Sequence, residues 1–271
     1  MITQGIAASR FETMSLVFQT NRVPPVTPDF WLVKLLAVTV GETAADYLAV
    51  NMGIGLTTTS IIMTLVLCLA LTIQFAQKRY VPAPYWITVV LISIVGTLVT
   101  DNLTDNFGVA LLSSTVFFSA GLLAIFAVWY FVEGTLSIHT VFTARREAFY
   151  WLAIMFTFSL GTAVGDLLAE SMDLGYLATG SIFAASIALI ASAYYVLGMN
   201  GILAFWMAYI FTRPLGASLG DLLSQPTEYG GLGFGTIATS LLFLICIAAV
   251  IFYMTLTYKR DGRARKVARR A

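Results

Sequence analysis

Apolar residues dominate the chain in eight runs of about 20 residues, which short polar connections separate. The runs lie roughly at 30–50, 56–77, 85–104, 109–132, 149–169, 176–197, 202–222 and 235–257. A helix of about 20 apolar residues crosses a hydrocarbon core about 30 Å thick. The pattern therefore predicts an all-α integral membrane protein with eight transmembrane helices. We predict a membrane domain over residues 29–258, between a cytosolic leader, 1–28, and a basic cytosolic tail, 259–271.

One phrase recurs along the chain: a tryptophan, a glycine ten residues later, and an aspartate five residues after the glycine. The tryptophans are Trp31, Trp86, Trp151 and Trp206. A fixed period is the signature of a repeat architecture, and we place the repeats at about 29–78, 84–133, 149–198 and 202–258. Each repeat holds two spans, so all four enter the membrane in the same direction. The prediction is four parallel two-helix hairpins with pseudo-symmetry about the membrane normal, arranged either as one ring or as two half-bundles.

Composition and charge support a membrane protein and give it an orientation. Hydrophobic residues make up 59% of the chain and charged residues 11%, which excludes an ordinary soluble domain. Outside the spans, Lys and Arg lie in the leader, in the loops after spans 2 and 4 and in the tail, and the loops after spans 1, 3, 5 and 7 hold none, so the positive-inside rule places both termini in the cytoplasm. We expect a multi-pass protein of the inner (plasma) membrane, with its tryptophans in an interfacial belt.

The four repeats also resemble a known family. The stretches that carry the resemblance are FWLVKLLAVTVGETAADYL, YWITVVLISIVGTLVTDNLTD, FYWLAIMFTFSLGTAVGDLLAE and FWMAYIFTRPLGASLGDLL. They resemble an uncharacterised bacterial family of membrane-anchored proteins built from four tandem repeats of unknown function. The resemblance implies two transmembrane helices and one characteristic tryptophan in each repeat, and it implies no activity.

Charged residues of the odd-numbered spans share one side of their helices. With 100° per residue, Lys34, Glu42, Arg213 and the repeat aspartates fall on an arc about 120° wide. A charge at the centre of a membrane helix costs about 2.5–3.5 kcal/mol, so these residues should face the protein interior and pair. We expect Glu42 to pair with Lys34, Arg213 or both. The pairs form either a gate or a static link between helices.

Carboxylates gather toward the extracytoplasmic ends of the same spans. We predict that substrate or cation binding involves seven residues: Asp46, Asp101, Asp166, Asp221, Glu42, Asp105 and Glu170. Oxygen-only clusters of like charge suit hard cations such as Mg²⁺, Ca²⁺ or Mn²⁺, or retain protons. The metal stays unassigned, with the four repeat aspartates as its candidate ligands. The alternative is a solvated acidic rim.

The function predicted from these features is transport of a cation, either a divalent metal or one coupled to protons, through a carboxylate-lined path. The alternatives are a passive cation channel and a non-transporting scaffold or sensor subunit. The sequence has no Walker loop, HExxH or GxSxG motif, so we expect neither an enzyme nor a cofactor. The expected partners are the lipid bilayer and a small cation or solute, without nucleic acid. Homo-oligomerisation stays open.

Overall fold

A computed structural model describes residues 21–268 of the protein, with side chains described through residue 257. Most of the predicted leader, residues 1–20, therefore lies outside the described residues, as do residues 269–271. Every regular element in the described part of the chain is helical. The all-α prediction is therefore confirmed.

Eight long helices account for the eight predicted spans. They are α1 (Pro28–Asp46), α2 (Leu56–Phe75), α3 (Pro82–Asp101), α4 (Leu111–Glu133), α5 (Ala144–Asp166), α6 (Gly175–Leu197), α7 (Gly201–Ser224) and α8 (Thr236–Ala268). Helix α8 runs on into the segment predicted as a separate tail. Short π-helical turns extend three of the odd-numbered helices: Tyr47–Asn51 after α1, Asn102–Asn106 after α3 and Leu167–Ser171 after α5.

Local sequence explains where these helices begin and end. Side chains of Thr27, Thr143 and Asn200 accept hydrogen bonds from backbone N–H groups at the starts of α1, α5 and α7. Helices α4 and α6 end at Gly134 and Gly198, which adopt the left-handed conformation that favours glycine.

Seven of the eight helices are long and apolar enough to cross a membrane, as judged over the described residues. The exception is α1, which carries Asp29, Lys34, Glu42 and Asp46. The helix that departs from the apolar pattern therefore contains three of the residues predicted to be functional.

The odd-numbered helices form a closed inner ring. Helix α1 contacts α3 and α7, and α5 contacts the same two helices from the opposite side. Each even-numbered helix packs outside, mainly on the inner helix of the following repeat: α2 on α3, α4 on α5, α6 on α7 and α8 on α1. The inner helices bury most of their residues, whereas the outer helices expose most of theirs. The arrangement is therefore one ring, and not two half-bundles.

The repeat glycines set the spacing of this ring. Each lies against the residue seven positions after the tryptophan of the next repeat: Gly41 against Ser93, Gly96 against Phe158, Gly161 against Arg213 and Gly216 against Val38. A Cβ atom at any of the four would overlap its neighbour. Small residues allow membrane helices to approach closely, so these glycines account for the tight contacts between neighbouring inner helices.

An aromatic layer closes the tryptophan end of the ring. It consists of the residue before each tryptophan: Phe30, Tyr85, Tyr150 and Phe205. Each of these rings contacts the tryptophan of the next repeat, at centroid distances of 5.3–6.2 Å. Trp86, Trp151 and Trp206 are buried in the bundle, which was not predicted, and their depth at a membrane interface stays a prediction. These indoles are buried because aromatic side chains of the adjoining repeats pack against them.

Candidate functional site

Arg213 lies at the centre of the ring and contacts all three other inner helices. Its side chain is fully buried, and its Nη2 atom is 2.8 Å from Glu42 Oε2 on α1. The same nitrogen donates to the hydroxyls of Thr97 on α3, at 2.5 Å, and Thr162 on α5, at 2.6 Å. We call Arg213, Glu42, Thr97 and Thr162 the central layer.

The acceptors of the central layer occupy one register of the repeat. Glu42, Thr97 and Thr162 each follow a repeat tryptophan by eleven residues, and Ala217 holds this position in α7. Ala217 has no polar side chain. The contribution of α7 to the central layer is Arg213, which lies one turn earlier in the helix. Thr97 also donates to Glu42 Oε2 at 3.2 Å, so the acceptors are linked to one another.

Arg213 is incompletely satisfied in this position. Its Nε and Nη1 atoms are buried and have no hydrogen-bond partner among the described residues. The Phe158 ring lies 5.7 Å from the guanidinium carbon, within the range of a cation–π interaction. The charge is therefore held by one carboxylate, two hydroxyls and one aromatic face.

Lys34 lies in a different environment from the one predicted. It is fully buried, donates to the backbone carbonyl of Tyr209 at 2.5 Å, and lies 3.8 Å from the centre of the Tyr209 ring. Among the described residues it forms no salt bridge, so of the two expected pairs with Glu42 only that of Arg213 is present. Lys34 precedes Glu42 by eight residues, roughly 12 Å along a helix, which is too far for an ion pair.

The repeat aspartates form a second group, the carboxylate layer, one turn beyond the central layer. Asp46, Asp101 and Asp166 are the last α-helical residues before the three π-helical turns, and all three are partly exposed. Asp221 differs, because α7 continues past it and its side chain is buried. Short π-helical segments frequently occur at functional sites, so the α-to-π junctions mark the three aspartates structurally.

The carboxylate layer lies within electrostatic range of Glu42 in the central layer. Each of the four aspartates is close enough to Glu42 to interact with it electrostatically. None of the four forms a salt bridge within the described part of the chain. One hydrogen bond reaches this layer from the neighbouring repeat, from Gln225 Nε2 to Asp46 Oδ2 at 3.4 Å.

The four aspartates do not form a compact metal centre. Among the described residues, no group of three or more His, Cys, Asp or Glu side chains is arranged to hold a metal ion. The remaining predicted binding residues, Asp105 and Glu170, are exposed on the π-helical turns. This arrangement can attract a cation, but it does not enclose one in a preformed carboxylate cage.

The sequence did not reveal two sets of buried polar residues: the threonines of the central layer and a cluster around Glu147. Thr97 and Thr162 share the register of Glu42, and aligning the repeats by their tryptophans would have revealed them. Glu147 is fully buried, where it pairs with Arg22 at 2.5 Å and accepts hydrogen bonds from Gln74 and Trp151. No spacing signal marks this second cluster, because its members come from three distant segments.

The protein is thus an α-helical bundle of repeated helix pairs, with apolar outer helices and a buried charged centre. The repeat described as "Repeat of Unknown Function (DUF347)" matches residues 30–80, 84–135, 149–199 and 204–260. The chain belongs to this repeat family. No curated protein and no solved structure matches it.

Proposed function

We propose that the protein is an eight-span membrane transporter that moves a cation along the axis of its inner ring. The observation that carries this proposal is the position of five carboxylates around one axis: Glu42 and the four repeat aspartates. Of these, Glu42 alone has an ionic partner among the described residues. Unpaired carboxylates within apolar helices are costly, and in membrane proteins they usually mark an ion or proton path.

The membrane arrangement belongs to the same proposal. The four hairpins cross the inner (plasma) membrane in parallel, related by pseudo-symmetry about the membrane normal, with both termini in the cytoplasm. The distribution of Lys and Arg supports this orientation. The carboxylate layer then faces the extracytoplasmic side, and the aromatic layer faces the cytoplasm.

The two ends of the inner ring differ in exposure, which favours a carrier over a passive channel. At the tryptophan end, Phe30, Tyr85 and Tyr150 are fully buried, and Arg213 occupies the centre of the ring about two helical turns further along. The carboxylate end is partly exposed. A path that is closed at one end and accessible at the other corresponds to one state of an alternating-access cycle. An ion-conducting channel would need a continuous opening through both layers.

The test is ion flux into proteoliposomes that hold purified protein, with a pH-sensitive dye inside. We expect the wild type to carry at least one of Na⁺, K⁺, ammonium, Mg²⁺, Ca²⁺ and Mn²⁺. We expect Asp46→Asn and Asp221→Asn to lose most of this flux while they keep the wild-type unfolding temperature. The matched control is Glu228→Gln, an exposed acid outside the carboxylate layer, which should transport normally.

Full flux in both aspartate variants would overturn the proposed role of the carboxylate layer. Absence of flux for every ion, with folded protein, would overturn transport of a cation and favour a scaffold or sensor subunit. Single-channel currents in place of saturable flux would identify a channel.

A further inference from the structure

We infer that Glu42, Thr97 and Thr162 form a binding site for a monovalent cation, and that Arg213 occupies this site as a built-in competitor. The inference rests on the proposed cation transport and names the class of ion. Its starting point is one atom: Arg213 Nη2 lies within 2.8 Å of Glu42 Oε2 and donates to the two threonine hydroxyls. A single cationic nitrogen is thus surrounded by oxygens from three different helices.

The charge of this oxygen set indicates the valence of the ion. Glu42 contributes one negative charge, and the hydroxyls of Thr97 and Thr162 are neutral. The guanidinium of Arg213 balances that charge. A divalent cation in its place would leave this oxygen set with one excess positive charge, which is unfavourable in a buried position. The same oxygens with a monovalent ion would be neutral overall.

The aromatic neighbour favours a weakly hydrated ion. Phe158 lies 5.7 Å from the guanidinium carbon of Arg213, and its ring face attracts cations. Guanidinium, ammonium and K⁺ can make this contact after losing water, whereas Mg²⁺ gives up its water reluctantly. The absence of a metal-holding group of His, Cys, Asp or Glu among the described residues agrees with this distinction.

Arg213 has features of a ligand that can be displaced. Two of its nitrogens, Nε and Nη1, are buried without hydrogen-bond partners in the described part of the chain, so part of its bonding capacity is unused. The following residue, Pro214, lies inside α7 and lacks the backbone N–H that would stabilise the helix at this point. An ion that enters from the carboxylate layer would compete with Arg213 for Glu42, and release of the ion would let Arg213 return.

Chemical rescue tests the site without any transport. We would purify Arg213→Ala in detergent and measure its unfolding temperature with guanidinium, ammonium, potassium or magnesium chloride at millimolar concentration and equal ionic strength. The expected result is a saturable rise of about 2–4 °C with guanidinium and a smaller rise with ammonium or K⁺. MgCl₂ should cause no rise beyond that of ionic strength.

Two controls assign the effect to this site. The double variant Arg213→Ala/Glu42→Gln should lose the rescue, because the carboxylate is gone. Val38→Ala alters the residue of α1 in the same register as Arg213, and should show no preference among the ions. Equal stabilisation by Mg²⁺, or rescue that persists in the double variant, would overturn the inference.

A flux measurement with Arg213 in place covers the case in which Arg213→Ala does not fold. We expect wild-type proteoliposomes to transport monovalent ions faster than Mg²⁺ or Mn²⁺. Thr162→Val preserves side-chain shape but removes one oxygen, so it should raise the KM for the monovalent ion several-fold. Flux of divalent ions alone would overturn the inference and leave cation transport standing. Rescue without flux for any ion would confirm the binding site and overturn transport.

Discussion

The aromatic layer and the central layer come from the same four repeats but preserve the repeat to different degrees. In the aromatic layer every repeat supplies a ring, and every ring contacts the tryptophan of its neighbour. In the register of Glu42 the repeats supply one glutamate, two threonines and one alanine. In the register of Arg213 all four residues differ: Val38, Ser93, Phe158 and Arg213.

The repeats are therefore alike where they serve packing and differ where they form the central ion pair. Four similar aromatic side chains can fill one layer, because apolar packing works equally well in all four repeats. At the buried centre, four glutamates in contact would repel one another, as would four arginines, whereas three of the four repeat aspartates are partly exposed at the end of the ring. A single buried ion pair at the centre therefore requires the repeats to diverge. We expect changes in the tryptophan half to alter stability, and changes in the central layer to alter transport.

The largest loss of stability should follow removal of the buried acid in the tryptophan half. Glu147 pairs with Arg22 and accepts hydrogen bonds from Gln74 and Trp151. Glu147→Ala leaves a mostly buried guanidinium without its counter-ion, so we expect a loss of about 3–5 kcal/mol in the free energy of unfolding. Reversible unfolding in mixed micelles would measure this loss.

The control for that change is Glu228→Ala, which removes an exposed acid and should leave stability within about 0.5 kcal/mol of the wild type. A similar small effect for Glu147→Ala would show that the buried cluster does not secure the tryptophan half.

A smaller loss should follow a change at a helix crossing. The Cβ of Gly96→Ala would lie 2.9 Å from Phe158 Cβ and 3.3 Å from the backbone nitrogen of Ser159. Because a backbone atom cannot rotate away, α3 and α5 must separate, at a cost of about 1–3 kcal/mol. Gly180→Ala is the matched control, since its Cβ would meet only Ser218 Cβ at an ordinary 3.4 Å. Equal unfolding temperatures for the two variants would contradict close packing of the ring.

A loss of similar size should follow removal of a hydroxyl from the aromatic layer. Tyr85 and Tyr150 form a hydrogen bond to each other through their hydroxyls, whereas the other two members of the layer are phenylalanines. Tyr85→Phe leaves the buried Tyr150 hydroxyl unpaired and should cost about 1–3 kcal/mol. The double variant Tyr85→Phe/Tyr150→Phe should cost less than the sum of the single changes. Additive losses would show that the hydroxyls do not depend on each other.

The sequence was sufficient to predict the helices and their repeat. Apolar runs located all eight helices, and the recurring phrase of tryptophan, glycine and aspartate predicted the four repeats. Both signals are local, because they depend on helix length and on one residue type at a fixed interval.

The sequence was less informative about which polar residues meet. The Arg213–Glu42 contact could be expected, since each residue lay on the same polar arc of its own helix. The different partner of Lys34 could not be seen, because a backbone carbonyl and an aromatic ring have no distinctive spacing. The burial of three repeat tryptophans was also missed, since an apolar pattern does not distinguish lipid from a neighbouring aromatic layer.

The most direct test compares two buried glutamates, each paired with an arginine. Glu42→Gln changes the central layer, and Glu147→Gln makes the same substitution in the tryptophan half. We would measure cation flux per folded molecule in proteoliposomes for both variants and the wild type. We predict that Glu42→Gln loses at least 90% of the flux, on the order of a tenfold change or 1.4 kcal/mol, whereas Glu147→Gln retains it. Equal flux in the two variants would contradict the assignment of transport to the central layer.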